Sequence, residues 1–495
     1  MILRINGKVK PYYVQTLAMI FFPGAKFPED EAETPETVVA EVTVTDDGEN
    51  AVASVTLKQG ERLSQADSRV ALDGDCDKKR RIAVGEAFMR AGEKFTSVTP
   101  PWGILTGVRP AKVATELLVA GINENEAAHR ISNEYFVSPV KAKLAVDVAS
   151  AEARIITDGI RRECSVYVGI PFCPTRCAYC SFVSYTSPKL LSLIPDYLTA
   201  LCADIDGIFS VIRSLGMRVV TVYIGGGTPT VLTAEQMRIL LSKIREYVSD
   251  LDEFTCEAGR PDTITAEKLR VASEYGVDRI SVNPQTLNDD VLKAIGRAHS
   301  TDMFYSAYET AREAGIKNVN VDLIAGLPHD TTESFMRSID GIISLSPENI
   351  TVHTFSVKRS AELKTEGWFD PASKTAAESV DYSQKVLAEA GYLPYYMYRQ
   401  KNTVGNQENV GYAKPGHEGL YNIYMMEEVH SVFAAGAGSV TKLVSLPDGD
   451  GNVRIERLFQ PKYPYEYLDG LKNGDFARRL CDMKQKAAVF FADKQ

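Results

Sequence analysis

The segment PFCPTRCAYCSF places three cysteines close together, Cys173, Cys177 and Cys180, with the spacing C-x3-C-x2-C. Cysteine thiolates favour zinc and iron–sulfur clusters as metal partners. A [4Fe–4S] cluster usually takes four thiolates, so three would leave one iron open. An open coordination position is typical of a catalytic metal site. The spacing alone leaves two interpretations: such a cluster, or zinc with a distant fourth ligand such as Cys202 or Cys256.

The eight cysteines also bear on the cellular compartment. Five of them are scattered singly, which in a long chain argues for a reducing environment without a disulfide framework. A weak resemblance to an export signal lies in VQTLAMIFF, which follows Lys8 and Lys10. Gln15 and Thr16 interrupt its apolar run and no small-residue cleavage site follows, so we interpret it as a strand or buried segment. No run approaches the ~18 apolar residues of a membrane span. We therefore expect a cytoplasmic protein without a membrane span.

Composition sets the overall class of the protein. The chain has 495 residues, enough for two to four domains at roughly 100–200 residues each. Hydrophobic residues make up 44% and charged residues 24%, as in an ordinary globular protein. The net charge of −10 argues against nucleic acid as a partner, because phosphate backbones bind basic surfaces.

Residues 1–160 are predicted to form a separate α+β module, whose role the sequence does not reveal. ETVVAEVTVTDDGENAVASVTLKQG alternates apolar and polar residues around a DDG turn, which predicts a β-hairpin. KKRRIAVGEAFMRAGEKF and AKVATELLVAGINENEAAHRI have helical periodicity. PPWGILTGVRPAK, punctuated by proline and glycine, is predicted to be a loop.

From about residue 165 short β-rich runs alternate with long helical patterns, such as NDDVLKAIGRAHSTDMFYSAYETAREAG. Six β units separated by helices predict a parallel sheet. Two arrangements compete, an open doubly wound sheet and a barrel, and six units fall short of the eight in a closed TIM barrel. The predicted strands are SVYVGI, VVTVYIGG, EFTCEAG, RISVNPQ, NVNVDLIAGL and NITVHTFSV.

In either arrangement the chemistry is expected at the carboxyl ends of the strands. The cysteines follow the first strand, and GGGTPT, residues 225–230, follows the second. Three glycines there let a ligand lie against bare backbone. Glu257 ends the third strand, Gln285 ends the fourth, Asp322 lies in the fifth and His353 in the sixth. Glu257 and Asp322 have two interpretations: acceptors for an amine or a ribose, or caps of the following helices.

Taken together, these motifs resemble the radical S-adenosylmethionine (SAM) superfamily. VYVGIPFCPTRCAYCSF, YIGGGTPT, DRISVNPQTLNDDVLKAIGRAH and VDLIAGLP resemble the oxygen-independent coproporphyrinogen III oxidase family over about residues 165–470. PPWGILTGVRPAK and the N-terminal module resemble its HemZ-like branch. The resemblance implies an α/β fold with a partial (β/α)6 TIM-like barrel over 161–380. The α+β module over 1–160 precedes it, and a C-terminal region over 381–495 closes the barrel and covers the active site.

The resemblance also implies a chemistry. Cys173, Cys177 and Cys180 would bind three irons of a [4Fe–4S] cluster, and the fourth iron would chelate the amino and carboxylate groups of SAM. An electron from a donor such as flavodoxin or ferredoxin would then yield a 5′-deoxyadenosyl radical. In the family this radical takes a hydrogen from a propionate of a porphyrinogen, and loss of CO2 and one electron leaves a vinyl group. The expected role is therefore in porphyrin and haem biosynthesis.

A set of SAM contacts follows from the same resemblance. They comprise an aromatic residue before the cluster loop, the glycine motif that meets the methionyl amine, and polar residues that hold the carboxylate, the ribose and neighbouring groups. These residues are Tyr167, Gly226, Gly227, Thr228, Glu257, Gln285, Arg297 and Asp322. For Arg297 the chemistry agrees, because a guanidinium pairs well with a carboxylate.

Two other functions remain open at this stage. The best-characterised oxidases have a fourth cysteine where this chain has Phe182, and a histidine where it has Gly169. Phe182 resembles the aromatic residue of the family's haem-chaperone branch, which binds haem. In the first alternative hypothesis the chain is a haem-binding protein. In the second it is a different radical SAM enzyme that modifies a tetrapyrrole.

The substrate-binding residues are predicted around GYLPYYMYRQKN, because a flat macrocycle with several carboxylates needs aromatic walls and cations. The aromatic candidates are Tyr395, Tyr396 and Tyr398, and the cationic candidates are Lys358, Arg359, Arg399 and Lys401.

Overall fold

The computed structural model describes most of the chain. The described residues are 1–28, 32–156, 162–180, 184–356, 374–400, 403–446, 448 and 453–492. They divide into two compact units. The smaller unit contains Met1–Ser150 and Met397–Asn409, and the larger one begins at Ala151 and includes Glu378–Tyr396 and Val410–Gln495. The chain thus returns to the N-terminal unit late in the sequence, while the boundaries expected near 160 and 380 stay a prediction.

The smaller unit is built from one mixed sheet and helices. Its elements are β1 (Ile2–Gly7), α1 (Pro11–Phe21), β2 (Val39–Asp46), β3 (Asn50–Gln59), β4 (Arg62–Ala71), α2 (Cys76–Thr96), α3 (Ala111–Val119), α4 (Glu124–Tyr135) and most of α5 (Pro139–Ile155), whose last turn belongs to the larger unit. The sheet order is β1-β2-β3-β4, with β1 parallel to β2 and the other pairs antiparallel. The predicted hairpin is confirmed as β2 and β3.

Helices α1 and α2 form the core of this unit with the sheet. The segment VQTLAMIFF is mostly helical, so the strand alternative for it is wrong, although its burial is confirmed. Val14, Leu17, Ala18 and Phe21 are buried at the i, i+3, i+4 and i+7 spacing of an apolar helix face. Asp75 caps α2 by accepting hydrogen bonds from the backbone N–H groups of its first turn.

The larger unit begins with alternating strands and helices. They are β5 (Glu163–Ile170), α6 (Pro188–Leu191), α7 (Ile194–Ser214), β6 (Arg218–Gly226), α8 (Ala234–Arg245), β7 (Glu253–Gly259), α9 (Ala266–Glu274), β8 (Arg279–Val282), α10 (Asp289–Ala294), α11 (Thr301–Glu313), β9 (Asn318–Ala325), α12 (Thr332–Leu345) and β10 (Asn349–Thr354). Each predicted strand is confirmed, with β8, β9 and β10 shorter than predicted.

The order of these strands decides between the two predicted arrangements. Strands β5 to β10 are all parallel and adjacent in chain order. A doubly wound sheet reverses its strand order at a switch point, and this sheet does not. Since parallel crossovers are right-handed, an unreversed order places the connecting helices on one face. The architecture is therefore the partial (β/α)6 barrel type.

The C-terminal region adds elements to both edges of this sheet. They are α13 (Lys374–Glu389), β11 (Leu393–Tyr398), β12 (Asn409–Ala413), α14 (Leu420–Glu427), β13 (Ser431–Ala435), β14 (Val440–Val444), β15 (Ile455–Phe459), α15 (Pro464–Lys472) and α16 (Asp475–Ala492). Over the described residues the sheet order is β11-β12-β10-β9-β8-β7-β6-β5-β13-β14-β15. Strand β12 is antiparallel to β10, and β13 is parallel to β5.

The long helical pattern between β8 and β9 is interrupted, which corrects the sequence interpretation. Helix α10 ends at Ala294 and α11 begins at Thr301. Gly296 has φ +74°, which ends the first helix, and the Ser300 side chain caps the second. Arg297 therefore lies in a turn rather than on a helix face. Within the ranges described above, no helix has the length and apolar composition needed to cross a bilayer.

Candidate active site

The carboxyl ends of the parallel strands surround a polar interior. Alternation along each strand points every second side chain to that interior. The side chains that point to the interior are partly accessible, while the residues next to them along the strands are buried. The inward-facing residues are Tyr167 of β5, Tyr223 of β6, Glu257 of β7, Asp322 of β9 and His353 of β10. A partly accessible polar interior of this kind can receive a small molecule.

The cysteine loop lies at the rim of this interior. Cys173 and Cys177 are only 8% and 9% exposed, and all eight cysteines are free thiols. The Cys173 Sγ atom is 3.3 Å from the Thr228 Oγ1 atom, and the Cys180 N–H donates to the Cys177 carbonyl at 3.1 Å. The loop therefore places the Cys173 thiol next to the glycine turn at the end of β6.

The cysteines proposed as distant zinc ligands lie elsewhere. Cys202 is on α7 beside Lys243 of α8, and Cys256 points to the outer face of β7, opposite to Glu257. As far as the described residues go, no three His, Cys, Asp or Glu side chains are grouped to hold a single metal ion. A [4Fe–4S] cluster binds each thiolate at a different iron. Because neither distant cysteine lies at the loop, the zinc interpretation lacks the fourth ligand that was expected for it.

The glycine turn packs directly against the cysteine loop. Gly226 has φ +113°, a conformation that favours glycine. A Cβ atom on Gly227 would lie 2.5 Å from the Phe172 carbonyl oxygen and 3.0 Å from the Cys173 Sγ atom. The Gly227 N–H donates to the Ile170 carbonyl at 2.7 Å, which fixes this approach. Glycine is thus required where the turn meets the loop.

Glu257 and Asp322 face each other across the interior. Burial and the nearby Asp322 carboxylate raise the pKa of Glu257 to about 7, against hydrogen bonds from Tyr223 and from the Gly226 N–H. Neither carboxylate caps a helix, because Thr265 caps α9 and Thr331 caps α12. The capping interpretation of both residues is therefore wrong.

Side chains from its own strand and from the adjacent strands surround Asp322. The Asn283 and Asn320 amides donate to its two carboxylate oxygens at 2.8 and 2.7 Å. The His353 Nε2 atom is 3.6 Å from the Asp322 Oδ2 atom. Gln285 is buried with φ +72°, and its N–H donates to the Asp322 carbonyl at 3.0 Å. Gln285 thus extends the pairing of β8 with β9 beyond the end of the strand.

Arg297 reaches the cysteine loop from the turn between α10 and α11. Its Nε and Nη2 atoms donate to the Tyr179 hydroxyl at 3.2 and 3.0 Å. Its Nη1 atom is buried and has no hydrogen-bond partner within the described part of the chain. An unsatisfied donor of this kind is costly, and a carboxylate ligand would satisfy it. The site therefore fits a cluster that also binds an amino acid group. It offers three thiols, a glycine turn and this unpaired donor.

Sequence reasoning missed several residues of this site. Tyr167 stacks on Tyr223 with ring centroids 6.2 Å apart, and Tyr223 stacks on Tyr421 at 4.5 Å. Tyr223 could have been found from the alternation of β6, two positions before Gly225. Tyr421 comes from α14, far along the chain, and no local pattern indicates its contact with the site.

The predicted substrate cations are not confirmed. Arg399 belongs to the smaller unit, where its guanidinium donates to the Leu105 carbonyl and, at 2.7 Å, to the Asn406 side-chain oxygen. Burial lowers its pKa to about 10. Arg399 therefore has a structural role in that unit, and its prediction as a rim cation is wrong. Of the other predicted residues, those outside the described residues are Phe182, Lys358, Arg359 and Lys401.

Comparison with known proteins places these features in a family. A model of the radical SAM superfamily matches residues 167–342. The chain is 37% identical to the oxygen-independent coproporphyrinogen-III oxidase-like protein HemZ of Bacillus subtilis, over 79% of this chain and 78% of the relative. It is 32% identical to the heme chaperone HemW of the same organism, over 61% of this chain and 77% of that protein.

A solved structure agrees with the fold. The coproporphyrinogen III oxidase HemN of Escherichia coli, a radical SAM enzyme, matches with a TM-score of 0.51 at 23% identity. The match covers 65% of this chain and 71% of that structure. At this identity the likeness supports the architecture of the larger unit, and the HemZ match carries the assignment to a family.

Proposed function

Since this chain belongs to the radical SAM superfamily and, within it, to the HemZ-like branch of the oxygen-independent coproporphyrinogen III oxidase family, we propose that it decarboxylates a porphyrinogen oxidatively. Propionate side chains would become vinyl groups, as in haem biosynthesis. Its cofactors are a [4Fe–4S] cluster and SAM, as in other members of the superfamily. Bound together, these cofactors supply a 5′-deoxyadenosyl radical, which can remove a hydrogen atom from an unactivated carbon.

The observation that carries this proposal is the acidic, partly accessible interior beside the cysteine loop. Cys173, Cys177 and Cys180 would hold the cluster. Gly226 and Gly227 keep the backbone free of side chains at the point where a ligand must approach the loop. The residues of the chain would therefore bind and orient the cofactors.

Further residues would distinguish the ends of SAM by charge. The orphaned Nη1 atom of Arg297 suits the SAM carboxylate. Thr228, Glu257 and Asp322 are acceptors for the amino group and the ribose. Tyr167 would cover the ligand with its ring, and the buried Gln285 would act through the backbone that it fixes next to Asp322.

The porphyrinogen itself is proposed from the relatives. The HemZ protein is described as coproporphyrinogen-III oxidase-like, and the chain matches 78% of it. Because the buried Arg399 guanidinium already donates to Leu105 and Asn406, the cations that pair with the remaining propionates would come from other residues. An external one-electron donor, such as flavodoxin or ferredoxin, and an electron acceptor complete the proposed reaction.

A second candidate function is haem binding without decarboxylation. It rests on the similarity to HemW heme chaperones, at 32% identity to one of them, and on Phe182 at the position of the fourth cysteine. Such a protein would keep the cluster and SAM for a supporting role. The two functions make opposite predictions for coproporphyrinogen III and haem. An oxidase converts coproporphyrinogen III, whereas a chaperone binds haem and leaves coproporphyrinogen III unchanged.

The test is anaerobic incubation of the reconstituted protein with SAM, a low-potential reductant, an electron acceptor and coproporphyrinogen III. We expect CO2, vinyl-bearing product and 5′-deoxyadenosine, with about one SAM consumed per propionate. The matched control is Cys177→Ala, which should form none of these. Tight haem binding with a Soret shift, and no decarboxylation under strict anaerobiosis, would assign the chaperone function instead.

A further inference from the structure

Arg260 is a buried cation beside the cysteine loop that the proposed reaction does not use. It directly follows β7, three residues after Glu257, and only 4% of it is exposed. Its Nη1 atom lies 3.7 Å from the Cys177 Sγ atom and donates to the Thr175 carbonyl at 3.2 Å. A guanidinium N–H therefore points at a cluster-binding sulfur from the side of the sheet.

The rest of the guanidinium is held by one carboxylate. The Arg260 Nε atom donates to the Asp262 Oδ1 atom at 3.0 Å, and its Nη2 atom donates to the Oδ2 atom at 2.8 Å. This bidentate pair fixes the plane of the fork, so the direction of the Nη1 atom is set before any cluster binds. Asp262 lies in the short turn Pro261–Thr263, and the Thr263 hydroxyl donates to the Arg260 carbonyl at 2.9 Å.

A preset donor next to a thiolate has a known physical effect on iron–sulfur clusters. Hydrogen bonds to the cluster sulfurs help to set the reduction potential. Reduction adds negative charge to the cluster, so a hydrogen bond to its sulfur stabilises the reduced form more than the oxidised form. Asp262 offsets much of the net charge of Arg260. The effect therefore depends on the direction of the N–H group more than on added positive charge.

We propose that Arg260 is a positioning residue that donates an N–H···S hydrogen bond to the cluster-bound Cys177 thiolate, raises the reduction potential of the cluster and so eases electron entry from an external one-electron donor. The proposal rests on the cluster alone and is independent of which tetrapyrrole this chain acts on. A purely structural role is the competing explanation, because Arg260 also ties the loop to β7 through the Thr175 carbonyl.

The test measures the cluster without SAM or substrate. The full-length protein and its Arg260→Gln and Arg260→Lys variants are reconstituted anaerobically, and the midpoint potential is taken from a redox titration followed by electron paramagnetic resonance. Arg260→Gln should make reduction about tenfold less favourable, which is a shift of about 59 mV to lower potential for a one-electron couple. Arg260→Lys should give a smaller shift in the same direction, since it keeps a cationic donor without the fork.

Arg245→Gln is the matched control. Arg245 is a half-buried arginine of the same unit that donates to the Tyr275 and Gly276 carbonyls at 2.6 and 3.0 Å. Its replacement should leave the potential unchanged. An unchanged potential in Arg260→Gln, or an equal shift in the control, would refute the proposal. If both Arg260 variants fold by circular dichroism but hold no iron, Arg260 builds the loop rather than tunes the cluster, and the proposal is equally wrong.

Discussion

Replacing Glu257 with glutamine should make the SAM-free protein more stable at neutral and alkaline pH. The carboxyl group of Glu257 has a pKa of about 7 instead of its ordinary 4.5, because burial disfavours its charged form and the Asp322 carboxylate is nearby. In the folded protein without a ligand, ionising Glu257 therefore costs free energy. A neutral amide of the same shape removes that cost, while it can still accept a hydrogen bond from Tyr223 or from the Gly226 N–H.

The size and sign of this change in stability follow from the different pKa of Glu257 in the folded and unfolded states. Each pKa unit corresponds to about 1.4 kcal/mol, so the cost is at most about 3.5 kcal/mol, and solvent in the interior lowers it further. Below pH 4.5 Glu257 is protonated in both the folded and the unfolded state, and the cost is absent. Between pH 4.5 and about 7 the unfolded state ionises first, so the cost grows with pH, and it is complete above that range.

The measurement is the thermal midpoint of the cluster-loaded, SAM-free protein between pH 5 and 8.5. Glu257→Gln should melt a few degrees above the parent at pH 8 and close to it at pH 5. The control on the same strand is Glu253→Gln. Glu253 is paired with Arg279 at 3.0 Å, with both side chains buried, so losing its charge should destabilise the protein by about 3–5 kcal/mol.

A pH-independent difference for Glu257→Gln, or a loss of stability at pH 8, would refute the argument from burial and repulsion.

The same variant should bind SAM about tenfold more weakly, because a charge-assisted hydrogen bond is worth about 1.5–3 kcal/mol. Unchanged SAM affinity would mean that Glu257 does not contact this ligand.

Two further predictions concern the loop that holds the cluster. Cys180→Ala should abolish the iron content and the brown colour of the reconstituted protein, whereas the exposed Cys481→Ala should retain both; equal iron in the two variants would contradict the ligand assignment. Gly227→Ala should lower iron content and SAM affinity together, because its Cβ atom would lie 2.5 Å from a carbonyl oxygen. Gly107→Ala, where the added Cβ meets nothing within 4 Å, is the control, and an unaltered Gly227→Ala protein would show that the turn can move.

Local sequence patterns were sufficient for the six parallel strands of the larger unit, but not for the strands that the C-terminal region adds. Runs of β-branched residues bounded by turns marked every strand from β5 to β10. The positions of the cysteines, Glu257 and Asp322 followed, because parallel strands bring their carboxyl ends to one side. The split between α10 and α11 was missed, since helical periodicity outweighed the signals from Gly296 and Ser300.

Contacts between distant parts of the chain could not be read from local patterns. Arg399 was expected beside a substrate, but residues 397–409 return to the N-terminal unit, where Glu408 accepts hydrogen bonds from Trp102 and Lys141 at 2.7 and 2.8 Å. Arg260 was missed for a related reason. Its significance depends on the position of Cys177, 83 residues earlier, and no spacing rule connects the two.

The site contains two unfavourable features, and we propose that one ligand removes both. Glu257 and Asp322 repel each other, and among the described residues the buried Nη1 atom of Arg297 has no acceptor. SAM carries an ammonium group, a sulfonium centre and a carboxylate on one small molecule. Its cationic groups would relieve the repulsion, and its carboxylate would accept the unused hydrogen bond. The charge pattern therefore selects a ligand with both signs, because a purely anionic or purely cationic molecule would satisfy one feature and worsen the other.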